Sequence, residues 1–366
     1  MDMFERINPE RAKIMYDRIT NRIESGRSLP SVTLPLSKAD FPKVLCLDMM
    51  HWVALSRAHH NIKNPTPEAI AALDAIRSAT KKKRLVVPAL VSNIHEATEH
   101  ADEQVRERLA LFMVNLSKNF SVVNYRVTED QEIAHAVEKH FLGTSTLPPI
   151  RPGIVQWGFT PAVIGRDVNP KTTNKRKAAM IKQFSREPEM SVVSLIGSRD
   201  REAIKAMRQR EEESLALMES ARKTDVRLSR IERWSWATYW YLKDGQGRVA
   251  EAIAGHLAAR GIPRAAYLEL LEDPERRLRF IGDLTQHYVH WSLLYERDRS
   301  GNDPYQANDF KDAPFLAQAI AYANIVVTEK RWTQHAKNTG IAKRYGTSVF
   351  KSLKDLPDAL AKEGCL

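Results

Sequence analysis

Cysteine is nearly missing from this chain: among 366 residues only Cys46 and Cys365 occur. One lies inside an apolar run and the other beside the last residue, so a disulfide framework and zinc-finger recognition both lack their ligands, and a reducing compartment is expected. Long apolar runs are missing too. None approaches the roughly 20 residues that cross a bilayer, and the opening MDMFERINPERAK carries Asp2, Glu5 and Arg6 with no apolar h-region behind it, which argues against secretion or a membrane partner and for the cytoplasm. Neither G-x-x-x-x-G-K-[ST] nor a Gly-rich fingerprint after a predicted strand is present, which disfavours nucleotide-driven and dinucleotide chemistry. No repeat of 20 to 50 residues stands out.

What is present is an ordinary globular composition with a basic balance. Apolar residues make up 43% and charged residues 28%, and 56 Lys+Arg against 45 Asp+Glu leave a net charge of +11. The chain is long enough for two or three cores, and its sign favours a polyanionic partner. The clearest local patch is KTTNKRKAAMIKQFSR at 171–186, where Lys171, Lys175, Arg176, Lys177, Lys182 and Arg186 occur with no acid between them. Such residues neutralise phosphate without reading sequence, so they do not distinguish RNA from DNA. Lys81-Lys82-Lys83-Arg84 is a second run, at least as well read as a solvated helix end.

Coarse patterning gives an α/β rhythm in two blocks. KVLCLD at 43–48 is the length of a buried strand; a helix follows from about His51 to His60, and a second opens at Pro67-Glu68. Leu85–Val87 make a strand stopped by Pro88, Leu90–His100 a helix, and Phe120, Val122 and Val123 a third strand. Pro and Gly crowd 143–165, and helical patterns dominate 199–296 with breaks at Gly261-Ile262-Pro263 and Asp273-Pro274. The rhythm resumes with a helix at 313–323, the strand Ile325–Val327, a helix near Arg331–Lys337, a strand at Ser348–Phe350 and a last helix near Leu356. The expected architecture is a central parallel sheet flanked by helices and interrupted by a mostly helical insertion. Its divisions are a helical extension at 1–40, the first part of the α/β domain at 41–145, the insertion at 146–298 and the second part at 299–366.

Acidic residues recur where strands of such a sheet end. Asp48 closes the first strand, Glu329 follows Ile325–Val327 after one threonine, Glu96 lies in the helix after the second strand, and Asp309 and Asp312 precede the helix leading to Ile325. Ligands of parallel sheets gather beyond the carboxyl ends of the strands, and carboxylates gathered there repel one another unless protonated or bridged by a cation. Hard oxygen ligands suit Mg²⁺ or Mn²⁺. Each acid also has a plain reading, as a helix cap or a solvent-facing side chain.

VLCLDMMHW at 44–52, LVVPALVSNIHEA at 85–97 and NDFKDAPFLAQAIAYANIVVTEKRW at 308–332 together resemble the motifs of PIN-domain-like nucleases. The likeness covers about 40–142 and 300–360 and leaves the middle of the chain without a counterpart. It implies a helix-flanked parallel sheet and a divalent-metal site that cleaves RNA, mainly endonucleolytically; in-line attack by a metal-activated water, not a ribose 2′-OH, would leave 5′-phosphate and 3′-hydroxyl ends. The first-strand acid falls on Asp48, the helix-borne second acid on Glu96 and the third on Asp312, with Asp309 as an additional candidate. Where the family commonly has Asp after a strand ending in Thr, this chain has Glu329. Lys330 and Arg331 would then lie near the chemistry.

His95-Glu96-Ala97-Thr98-Glu99-His100 is neither HExxH nor HxxEH, and helix-stabilising pairs account for it better than a zinc peptidase does. The alternative function is a non-catalytic nucleic-acid-binding or assembly protein on the same scaffold. RNA is the favoured partner, DNA is retained as a second, and self-association or a protein partner is left open.

Overall fold

The computed structural model describes residues 42–99, 102–143, 154–159, 188–196, 248–299, 305–306 and 308–366, with a few isolated positions between 209 and 243. The expected N-terminal helical extension and the basic 171–186 patch lie outside the described residues. Two compact units divide the chain: Met1–Tyr125, Arg151–Ile204 and Tyr322–Leu366 form one, and Arg126–Ile150 with Lys205–Ala321 form the other.

The first unit is α/β. Strand β1 (Lys43–Leu47) is buried from Val44 onward and lies at the centre of a four-stranded sheet. On one side it pairs in parallel with β2 (Leu85–Val86), Lys43 opposite Leu85. On the other it pairs in parallel with β5 (Ile325–Val327), Leu47 opposite Val327, and β5 pairs in parallel with β6 (Ser348–Phe350). Strands buried on both faces need no polar alternation, which is why these segments read as short continuous apolar runs. Helix α1 (Met49–His60) leaves β1 directly, and α2 (Pro67–Lys81) starts where Thr66 accepts a hydrogen bond from the Ala69 amide at 3.2 Å, with Pro67 and Glu68 in the first turn. Trp52 and Leu55 of α1, Leu73 and Ile76 of α2, Met113 of α4 (Glu103–Ser117) and Leu356 and Leu360 of the last helix (Leu356–Lys362) share one core with Leu45, Leu47, Ile325 and Val327.

The expected third strand forms as β3 (Phe120–Val122) but does not extend the parallel ladder. It pairs antiparallel with β4 (Val155–Trp157), a strand inside the Pro- and Gly-rich stretch that sequence patterning does not mark. Pro88 explains the difference, because it stops β2 and leaves only the single parallel bridge between Ala89 and Ser121. Between these elements lie α3 (Val91–Glu99) and, after β4, α6 (Pro188–Ile196).

Asn324, just before β5, fastens the strands at their amino ends. Its Oδ1 accepts from the Val44 amide at 2.9 Å, its own amide donates to the Val44 carbonyl at 2.9 Å, and its carbonyl accepts from Ser348 at 2.8 Å. Asn324→Ala removes the only one of these contacts made by the side chain and strands the amide of nearly buried Val44. Chemical denaturation is expected to show a loss of about 1–3 kcal/mol; an unchanged midpoint would mean water replaces the side chain.

The second unit is helical: α5 (Tyr125–Leu142), α7 (Arg248–Ala258), α8 (Arg264–Glu272), α9 (Pro274–Asp283), α10 (Thr285–Arg299) and α11 (Asp309–Tyr322), apart from the terminal residues Tyr125 and Tyr322. The breaks fall where Pro and Asp predict them, since Asp273 caps α9 by accepting from Glu275 and Arg276. Helix α5 joins this unit because it shares the core of Ile133 and Val137 with Ile253, Leu270, Phe280 and Ile281. It also supplies polar anchors. The Glu132 carboxylate accepts from the Gln286 amide at the start of α10, and Glu138 pairs with Arg260 at 2.7 Å. No helix among the described residues is long and apolar enough to cross a membrane.

Candidate active site

The strand order β2-β1-β5-β6 contains a reversal. From β1 the chain first adds β2 on one side, and β5 later fills the other, so the crossovers diverge between β1 and β5. A crevice opens beyond the carboxyl ends of strands at such a switch point. The residues immediately after those two strands are Asp48, and Thr328 with Glu329.

Asp48 is 7% exposed and stands at the N-cap of α1 without closing a side-chain cap bond. Its Oδ2 accepts from the Thr328 hydroxyl at 3.1 Å, while its amide donates to the Val327 carbonyl at 3.0 Å. Burial pushes the carboxyl pKa above its ordinary value, against the opposing pull of the Thr328 hydroxyl and the Met49 and Met50 amides. Glu329 repeats the arrangement across the sheet. It is the N-cap of α12 (Lys330–Thr339), again with no side-chain cap bond, and is half-buried. Two helix N-termini therefore open onto this edge of the sheet, each headed by a carboxylate that is not spent on capping.

His51, in the first turn of α1, is the member that residue patterning passes over. It is buried, and its Nε2 has no hydrogen-bond partner. Burial lowers its pKa more than the Thr328 carbonyl and the Glu329 charge raise it, so the ring is held neutral. The signal was the spacing Asp48-x-x-His51, which puts the histidine in the first turn of the helix that Asp48 caps. Lys330 and Arg331 open α12, whose first turn contains no acid. Cations at the positive end of a helix are unfavourable unless an anion is near, and Arg331 also lies over the Trp332 ring at 5.2 Å.

The remaining sequence candidates are placed differently. Glu96 is half-buried in the middle of α3, a helix that packs against α1 in the same unit. Asp309 and Asp312 occupy the first turn of α11, in the helical unit. Asp309 has a defined occupation there: its Oδ2 accepts from Arg297 Nε at 3.2 Å and Nη2 at 3.1 Å and from the Gln306 amide at 2.8 Å, and both members of the pair are 1% exposed. The Tyr305 ring lies 5.4 Å from the same guanidinium. Asp312 is nearly buried, and its amide donates to the Asn308 carbonyl at 2.9 Å. Among the described residues no three His, Cys, Asp or Glu side chains are grouped closely enough to hold a metal ion.

No protein-family model, curated protein or solved structure matches the chain.

Proposed function

We propose that this protein is a metal-dependent ribonuclease working at the Asp48–Glu329 edge of its parallel sheet. It would cut phosphodiesters endonucleolytically to leave 5′-phosphate and 3′-hydroxyl ends. The observation that carries the reading is the buried Asp48 carboxylate at the switch point, bonded to the Thr328 hydroxyl from the neighbouring strand end. A carboxylate with raised pKa in that position holds its charge at a cost, which a cation relieves.

The donor set suits Mg²⁺ or Mn²⁺. Such ions are commonly held by one or two carboxylates with waters and substrate phosphate completing the shell, and Asp48 and Glu329 are two carboxylates on neighbouring strand ends. A bound ion supplies Lewis acidity toward the phosphoryl group and a more acidic water. The chain's own residues do the rest. Thr328 orients Asp48, neutral His51 beside Glu329 is placed to accept a proton, and Lys330, Arg331 and the two helix N-termini attract the phosphate. Glu96, Asp309 and Asp312 are further acids of this reading, and single substitutions decide what each contributes. The 171–186 lysines and arginines would track the backbone of the nucleic acid.

The test is incubation of the full-length protein with matched RNA and DNA panels in Mg²⁺, in Mn²⁺ and in EDTA, with the product ends identified. Cleavage of RNA in either metal, abolished by EDTA and giving 5′-phosphates, is expected. Equal cleavage in EDTA rejects the mechanism. Salt-sensitive binding with no turnover in any metal assigns the chain to the non-catalytic alternative.

A further inference from the structure

A second site lies at the other end of the α/β unit. The ends of α1, α2 and α4 surround a cavity of about 500 Å³ whose lining contains Arg77, Lys81, Lys118 and His59 and no acidic residue. Its apolar wall is Phe112 and Leu116. The Lys43 amide at the start of β1 donates to the carbonyl of Arg84, which follows α2, so this end of α2 belongs to the amino edge of the sheet. Asp48 marks the carboxyl edge. The 12 residues of α1 between them make roughly 18 Å of helix at about 1.5 Å per residue.

Three helix C-termini explain part of the positive charge, since each carries about half a negative unit that a basic residue complements. They do not balance three formal cations. The basic groups are also pressed together: an Arg77 Nη2 lies 2.5 Å from His59 Nδ1, and the rings of His59 and Phe112 are 5.4 Å apart. Donating to Nδ1 requires the imidazole to accept, so His59 is neutral in this contact and serves to hold the guanidinium in place. A fixed guanidinium, two lysines and no acid in one concavity make a site for a compact dianion. The enclosure matters as well, because a cavity of this size takes a small ligand or a chain end, whereas an unbroken strand needs an open groove.

We infer that this cavity binds a terminal phosphate, the monoester group of a small phosphorylated molecule or of a nucleic-acid strand end. Arg77 and Lys81 are the principal contacts, Lys118 adds charge, and the Phe112 wall receives the apolar part of the ligand. The site is independent of the chemistry at Asp48, so failure of one reading leaves the other standing.

Calorimetric titration of the full-length protein in EDTA tests it, with inorganic phosphate, AMP and a short RNA carrying either a 5′-phosphate or a 5′-hydroxyl. Saturable binding of phosphate or of a phosphomonoester is expected. Arg77→Gln and Lys81→Gln should each weaken it at least tenfold while their circular dichroism stays that of the wild type, and Asp48→Asn should bind as the wild type does. Preference for the 5′-phosphorylated RNA over its 5′-hydroxyl twin, with AMP weaker, identifies a strand end as the source. AMP binding as tightly as the phosphorylated RNA identifies a small phosphomonoester. The inference is overturned if no phosphate compound binds saturably, or if Lys81→Gln, exposed and able to fold, binds as the wild type does.

Discussion

Asp48→Asn is expected to lower RNA cleavage by at least roughly 100-fold, the scale on which removing one essential electrostatic group acts, and at the same time to raise the melting temperature at pH 7. The two effects share a cause. Burial holds the Asp48 pKa above the unfolded value of 3.8, so the folded protein keeps a proton that the unfolded chain has already released. Stability attributable to this residue therefore falls as pH rises from the ordinary carboxylate range through the raised native value, and stays at its lower level above it. Asparagine has no charge to desolvate and still presents an amide oxygen to the Thr328 hydroxyl. In EDTA, the gap between variant and wild-type melting curves should be small at the acid end of the window, widen as pH rises and then level off. A variant that melts below the wild type at pH 7 would show that the carboxylate stabilises the fold, and the case for a strained functional group would fail. Wild-type cleavage by the variant would remove Asp48 from the reaction.

Asp309→Ala should behave in the opposite way. Arg297 is 1% exposed and depends on the Asp309 carboxylate for its ion pair. Truncating the acid takes a hydrogen-bonded counter-charge away from a buried guanidinium, a loss of the kind that destabilises by about 3–5 kcal/mol. Denaturant midpoints of the single variants and of an Arg297→Met/Asp309→Ala double variant measure this directly. Much of the loss should return in the double variant, because removing both charges removes the desolvation problem along with the attraction. A single variant as stable as the wild type but inactive in cleavage would move Asp309 from the architecture of the helical unit to the chemistry. The contrast with Asp48 is instructive: both are almost fully buried aspartates at the start of a helix, but one has a cationic partner and the other has a hydroxyl.

The candidate edge was partly legible. Asp48 and Glu329 stand out in the sequence because an acid that closes a short apolar run lies where a parallel sheet opens to ligands, and the two follow the neighbouring strands β1 and β5. Their freedom from capping did not show, since Asp before a helix ordinarily reads as a cap. His51 is passed over because the spacing Asp48-x-x-His51 is a weak signal until the burial of the ring and the Thr328 carbonyl beside it are known. Asp309 and Asp312 share a helical turn and look equivalent as letters, and nothing in the letters shows that Asp309 pairs with Arg297. The β3–β4 pairing was hidden for another reason: β4 has three residues and sits among prolines and glycines, too short for a periodicity to register.

Local chemistry was sufficient to determine the short apolar strands, the helix starts at Thr66-Pro67 and Asp273-Pro274 and the basic character of the chain, because propensity, capping and charge act over a few residues. Only the tertiary structure could decide that Thr328 meets Asp48 across 280 residues, that Arg297 claims Asp309, and that three helix ends enclose a cationic cavity. Those outcomes depend on which strand lies beside which and on what burial does to a charge, and neither is encoded in neighbouring letters.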